Sequence, residues 1–169
     1  MKKHEEPGKH DEMNMHEGKM QGNYIRFGLM IVLAFISMYV FMYAMVNVFA
    51  NVYSSVNQFY MAGLMTAPMI LIEIVLMGGM YPNKKINWAI IAFGVVALGG
   101  FWFLIRGQTA VSDRQFLRSM IPHHAGAILM CEKAVITDAE IQELCKGITS
   151  SQASEIDWMK KKLDELNKR

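Results

Sequence analysis

Three long apolar segments dominate the pattern of hydrophobic and polar positions along the chain. They cover about residues 24–49, 59–80 and 86–105. Each is close to the roughly 20 residues that a helix needs to cross the hydrocarbon core of a bilayer. No Asp, Glu, Lys or Arg occurs over 27–72 or 86–105. The pattern therefore predicts three transmembrane helices, because a helix satisfies its backbone polar groups internally in lipid.

Beyond the third segment, apolar residues recur at spacings of three and four, which is typical of amphipathic helices. Capping-box spacings at Ser112–Gln115 and Thr137–Glu140 predict that helices start there and cover about 113–134 and 138–167. We expect these two helices to form an antiparallel hairpin. Two helices alone bury too little apolar surface for a stable core. The fold class is therefore predicted to be all-α, with the hairpin completed to a four-helix arrangement by a homodimer or higher oligomer.

The polar segment before the first apolar run has no packing period, so we predict a flexible tail. It is rich in histidine and methionine, and such tracts bind soft metals weakly when disordered. A solvated tail that binds no metal is an equally good interpretation. The candidate ligands in the tail are His4, His10, Met13, Met15 and His16. The predicted domains are the tail over 1–23, the membrane region over 24–106 and the helical domain over 107–169.

Charge and composition indicate the expected partner of the protein and its orientation in the membrane. Hydrophobic residues make up 53% of the chain and charged residues 19%, and the formal net charge is +2. That charge is too small to indicate a nucleic-acid partner, so the expected partner is the lipid bilayer. Lysines concentrate in the tail and in the link between the second and third segments, whereas the first link is uncharged. The positive-inside rule therefore predicts a cytoplasmic N-terminus and a C-terminal domain outside the cytoplasm.

The candidate chemistry lies on the first helix of the predicted hairpin. On a helix, Met120, His124 and Cys131 share one face, and His123 and Met130 lie on its flank. Thioether, imidazole and thiol are the ligands that Cu(I) and related soft ions prefer. Spacing alone leaves open whether these residues bind a metal or pack as ordinary core residues.

The two cysteines, Cys131 and Cys145, fall within about one helical turn of each other when the hairpin is paired across its predicted turn. Outside the cytoplasm they are expected to form a disulfide or to share a metal ion. Two small buried thiols are an equally good interpretation.

The sequence from Asp113 to Met130, with Asp138–Ile141, Gln152, Glu155–Ile156 and Met159, resembles the domain-of-unknown-function 305 family. The Met-Ile-Pro-His-His motif at Met120–His124 is the most specific part. The resemblance to CopM-like members implies a ferritin-like helical domain that binds copper as Cu(I), with silver as a surrogate. It also implies a bacterial protein whose three spans anchor it in the cytoplasmic (inner) membrane. The metal ligands that it implies are Met120, His123, His124, Met130 and Met159.

The second apolar segment offers a different function. Met61, Met65 and Met69 lie four residues apart and are followed by Glu73. An ionisable residue within a membrane span is by default a candidate functional residue. These four residues are a possible metal-transport path, although methionine also serves as flexible apolar filler.

The leading hypothesis is a membrane-anchored copper-binding protein for sequestration, tolerance or delivery of copper outside the cytoplasm. The alternatives are a metal transporter and a structural or interaction module for which metal is irrelevant. An enzyme is not expected. The chain lacks a Ser/His/Asp set, a phosphate-binding glycine loop and the Glu-x-x-His pattern of di-iron bundles.

Overall fold

Five α-helices form the part of the chain that the structure describes. This computed structural model describes the backbone of residues 8–168 and the side chains of residues 22–168. No strand occurs in these residues, so the predicted all-α class is confirmed. The helices are α1 Gly8–Phe41, α2 Val56–Leu76, α3 Lys84–Arg106, α4 Asp113–Lys133 and α5 Ala139–Asn167.

Helices α1, α2 and α3 supply the three predicted spans. The segments long and apolar enough to cross a membrane are Gly22–Met45, Val56–Leu76 and Lys84–Arg106. Helix α2 lies in the middle, since it packs closely against both α1 and α3. At Gly63 an added Cβ would lie 2.4 Å from the ring of Phe101. Small residues at helix contacts let transmembrane backbones approach closely, so Gly63 permits the close packing of α2 and α3.

The first helix differs from the prediction at both ends. It begins at Gly8, so residues 8–23, predicted to be part of a flexible tail, are helical and continuous with the first span. Extending a helix that already exists avoids the cost of nucleating a new one. At its other end α1 stops at Phe41, and 3-10 turns at Met42–Met45 and Phe49–Asn51 replace the predicted end of the span.

Helices α4 and α5 pack against each other as an antiparallel pair, called the hairpin below. Its antiparallel pairing is marked at one end by the bond between Cys131 and Cys145, and at the other by Arg114, which donates a hydrogen bond to the carbonyl of Leu166. The shared core contains apolar residues from both helices. Its buried members are Leu117, Ile121, Ala125 and Ile128 of α4, and Ile156, Met159 and Leu163 of α5.

Helix α4 also packs against the link between α1 and α2. Val46 and Tyr53 of the link contact the hairpin core. The side chain of Gln115 accepts a hydrogen bond from the backbone N–H of Val56 at 2.9 Å. At Gly126 an added Cβ would lie 3.5 Å from the carbonyl oxygen of Met45. The hairpin therefore sits on the ends of the first two spans.

The start of α5 corrects the predicted cap. Asp138, not Thr137, is the N-cap, and its Oδ1 accepts hydrogen bonds from the N–H groups of Glu140 at 2.9 Å and Ile141 at 3.0 Å. These N–H groups have no partner within the helix, so the carboxylate satisfies them. The positive end of the helix dipole also stabilises its negative charge. Ser112 precedes α4 as predicted, but its side chain makes no capping hydrogen bond.

Candidate functional site

The two ring nitrogens of His124 differ in their hydrogen bonding. The side chain is buried, with 7% of the residue exposed. Its Nε2 lies 2.7 Å from Oε2 of Glu155, on the neighbouring helix α5. Its Nδ1 is buried and has no hydrogen-bond partner. Because a carboxylate only accepts when ionised, Nε2 carries the proton, and neutral His124 then keeps a free lone pair on Nδ1.

Glu155 is itself held by a second hydrogen bond. The hydroxyl of Ser151 donates to Oε1 of Glu155 at 2.9 Å, one helical turn away on α5. The hydrogen bonds from Ser151 and then His124 hold the pKa of Glu155 below its ordinary value of 4.5. Glu155 therefore stays ionised at neutral pH and fixes the orientation of the His124 ring.

We predict that the contact between His124 and Glu155 makes the stability of the hairpin depend on pH. Because the pKa of Glu155 is lowered in the folded state, its contribution is present above its ordinary pKa and is lost as the pH falls through the lowered value. The stability difference between the wild type and Glu155→Gln should therefore shrink as the pH falls below about 4.5. Thermal unfolding, monitored by circular dichroism at several pH values in this range, measures the stability difference. A difference that does not change with pH would contradict the assignment.

The other sequence-predicted ligands on α4 lie at or near the surface of that helix. His123 is exposed, and its ring centroid lies 6.2 Å from that of His124. Met130 is 53% exposed, and Met120 is half-buried against the hairpin core. Helix α4 continues through Pro122, so both histidines and both methionines stand on one helical segment.

Met159 lies in the hairpin core and is 5% exposed. Its thioether packs within the apolar cluster that includes Leu117 and Ile121. Among residues 22–168, no group of three or more His, Cys, Asp or Glu side chains is arranged to hold a metal ion. Within one chain, the candidate ligands that lie within one turn of each other on α4 are His123, His124 and Met120, whereas Met130 lies about 15 Å along the helix from Met120.

Cys131 and Cys145 are joined in a disulfide, with their Cα atoms 5.3 Å apart. This outcome selects one of the alternatives left open by the sequence. It corrects the assignment of these two residues as metal ligands, because a metal binds the thiolate and a disulfide has none. The bond instead holds α4 and α5 together beside the turn that connects them.

Glu73, at the end of α2, has a partner that the sequence did not reveal. The hydroxyl of Tyr81 donates to Oε1 of Glu73 at 3.2 Å. Burial, and then the nearby Glu73 carboxylate, raises the pKa of Tyr81. Both residues line a cavity of about 170 Å³, together with Arg26, Met30 and Met80.

The remaining residues of the predicted transport path lie elsewhere. Met61 and Met65 are 38% and 43% exposed on the surface of α2, and Met69 is half-buried. None of the three lines the cavity beside Glu73. Of the tail candidates, His4 lies outside the described residues. The side chains of His10, Met13, Met15 and His16 also lie outside the described part of the chain, although their backbone belongs to α1.

Comparison with known proteins places the hairpin in a family. The family described as Domain of unknown function (DUF305) matches residues 104–163. The uncharacterized protein L153 of Acanthamoeba polyphaga mimivirus is 36% identical over 111 residues, which cover 64% of this chain and 71% of the viral protein. No solved structure matches the chain. The chain therefore belongs to the same family as the viral protein L153, with a DUF305 domain that includes the whole of α4 and most of α5.

Proposed function

We propose that this protein is a membrane-anchored copper-binding protein that holds Cu(I) at the histidine pair of α4, without catalysis. The observation that carries the proposal is His124. Its Nε2 is bonded to the Glu155 carboxylate, while its buried Nδ1 has no partner. Metal-binding histidines almost always donate their second ring N–H to a carboxylate, carbonyl or water, which fixes the tautomer and raises the basicity of the ligand. Glu155 would serve that role here.

The neighbouring side chains favour a soft ion. Imidazole nitrogens from His123 and His124, with the thioether sulfur of Met120 one turn away on α4, are ligands of the kind that Cu(I) prefers, and Ag(I) is its natural surrogate. Mg²⁺ and Ca²⁺ prefer oxygen ligands, and Glu155 is already engaged by His124 and Ser151. The ligand chemistry therefore supports copper over the hard divalent cations.

We further propose that the hairpin lies outside the cytoplasm, in a bacterium on the outer face of the inner membrane, where it would sequester or deliver copper. The disulfide between Cys131 and Cys145 supports this side, since disulfides persist in oxidising compartments and are rare in the cytosol. An alkaline phosphatase fusion at the C-terminus, an enzyme active only outside the cytoplasm, should be active. An inactive fusion in an intact, membrane-inserted chain would contradict this orientation.

A competition titration tests the proposed function. The full-length chain, purified in detergent, is titrated with Cu(I) against a chromophoric Cu(I) chelator under anaerobic conditions. We expect the chain to withdraw Cu(I) from the chelator and to withdraw no Zn²⁺ under matched conditions. A chain that competes for neither ion, and whose thermal stability is the same with and without Cu(I), would contradict the proposal and favour an interaction module.

Metal transport is the second candidate, and the cavity beside Glu73 favours it. The Glu73 carboxylate, bonded to Tyr81 and flanked by Met30 and Met80, would be the cation-binding group at one end of the spans, where a metal ion would compete with Arg26 of the same cavity. If the protein transports copper, Glu73→Gln should abolish Cu(I) flux into vesicles that contain the purified chain. Equal flux in wild type and variant would exclude this role for Glu73.

A further inference from the structure

A small cavity at one end of the spans has side chains of opposite charge in its lining. Arg26 of α1 and Glu73 of α2 both line this cavity, whose volume is about 170 Å³. Tyr81 donates a hydrogen bond to Oε1 of Glu73, leaving Oε2 able to accept from another donor. Within residues 22–168, no ion pair or hydrogen bond joins Arg26 to Glu73. The two opposite charges therefore share a cavity without neutralising each other by direct contact.

The cavity lies at the depth where the first two spans approach one surface of the membrane. Arg26 lies about one helical turn inside the start of the first span, and Glu73 lies about one turn before the end of the second. Tyr81, in the link that follows, packs against Tyr24 with ring centroids 5.3 Å apart. Tyrosine side chains concentrate at the level of the lipid headgroups. Lipid headgroups are therefore the ligands that surround this cavity.

The charges of the lining favour a zwitterionic headgroup. A guanidinium pairs with phosphate oxygens through two parallel N–H groups, whereas a carboxylate accepts hydrogen bonds from an ammonium group. A charge without a partner at the edge of the hydrocarbon region costs free energy, so a ligand that carries both groups would be stabilised by Arg26 and Glu73 together. A primary ammonium group has three N–H donors. Choline has none, and a glycerol headgroup has no positive charge.

The size of the cavity also fits such a headgroup. Its volume equals that of about six liquid water molecules, which admits a small polar group. A helix, about 10–12 Å across with its side chains, is too wide to enter. Phe27 and Met30 belong to the same lining and offer an apolar surface to the glycerol end of the lipid. The lining therefore provides a contact for each part of a zwitterionic phospholipid that lies at this depth.

We propose that this cavity binds the headgroup of an ethanolamine phospholipid, with its ammonium group on Glu73 and its phosphate on Arg26. The inference goes beyond the proposed copper function and does not rest on it, since His123 and His124 belong to α4, outside the spans. A bound ammonium group would occupy the carboxylate of Glu73. The lipid site and cation transport through Glu73 therefore exclude each other.

Native mass spectrometry of the full-length chain in detergent tests the ligand. Phosphatidylethanolamine, phosphatidylcholine and phosphatidylglycerol with identical acyl chains are titrated separately. We expect the ethanolamine lipid to bind at least about 10-fold more tightly than the choline lipid, because the choline lipid lacks the N–H donors that would bond to the charged carboxylate. Equal affinities for these two lipids, or tightest binding of the glycerol lipid, would overturn the proposal. Displacement of the lipid by an equal concentration of soluble phosphoethanolamine would overturn a lipid as the source of the headgroup.

Three variants assign the two contacts. Glu73→Gln should remove the preference for ethanolamine over choline, because the amide has no negative charge for the ammonium group. Arg26→Gln should weaken the binding of all three lipids while the preference for ethanolamine remains. Arg106→Gln, at the opposite end of the spans, is the matched control and should bind the lipids as the wild type does. A preference that survives in Glu73→Gln, or equal losses in Arg26→Gln and Arg106→Gln, would overturn the assignment of these residues.

Discussion

The double variant His123→Ala/His124→Ala should lower the Cu(I) affinity of the full-length chain about 100-fold or more. Loss of a residue that only orients a metal ligand costs about 10–100-fold in affinity, so removal of two ligands should cost at least the upper value. His124→Ala also leaves Glu155 without the imidazole that it now contacts at 2.7 Å. The competition titration with Cu(I) measures the change directly.

Two further variants distinguish the loss of metal ligands from a general loss of structure. His123→Ala alone removes an exposed side chain, so it tests the ligand without disturbing the hairpin core. His10→Ala/His16→Ala makes the same double substitution in the N-terminal segment and serves as the matched control. We expect the control to bind Cu(I) with wild-type affinity. Retained affinity in the α4 variant, with lost affinity in the control, would move the site to the N-terminal segment.

The second large effect is expected at Ile121, which is fully buried with 0% of its surface exposed. Ile121→Ala should destabilise the hairpin by about 2–5 kcal/mol, because it removes three buried carbon atoms and leaves a cavity that a packed core fills only partly. Its neighbours in the core, such as Ile156 and Leu163, come from the facing helix. The substitution should therefore weaken the packing of α4 against α5.

Thermal unfolding with limited proteolysis of the hairpin measures this effect in detergent. Val135→Ala is the control, since Val135 is 95% exposed and its truncation should change stability by less than about 0.5 kcal/mol. The disulfide between Cys131 and Cys145 keeps the two helices connected in the unfolded state, so both variants should be compared in oxidised form. Equal stability of the two variants would show that Ile121 is not part of a packed core.

The features that were predictable from the sequence depend on periodicity and charge. Uncharged runs of about 20 residues indicate spans regardless of how they pack, and all three runs form helices long and apolar enough to cross a membrane. Three- and four-residue spacing predicted the helices α4 and α5, and pairing across the turn between them brought Cys131 and Cys145 close together. Helix ends were less predictable, because one carboxylate at Asp138 replaced the predicted cap at Thr137.

The contacts that define the candidate site depend on the register between helices, which the sequence does not determine. Glu155 reaches His124 from 31 residues away along the chain, and the spacing within either helix gives no sign of this contact. Met159, which the family resemblance implied as a metal ligand, is buried in the core with Ile121. Small differences in turn geometry and helix crossing shift every such contact. For the same reason, Tyr81 as the partner of Glu73 could not be predicted.

X-ray absorption of the full-length chain loaded with one equivalent of Cu(I) tests the central claim most directly, because it reports the atoms bonded to the metal. We expect nitrogen and sulfur neighbours together, with the imidazole signature lost in His123→Ala/His124→Ala and kept in His10→Ala/His16→Ala. A copper environment of oxygen alone, or one that is unchanged in the α4 variant, would contradict the account.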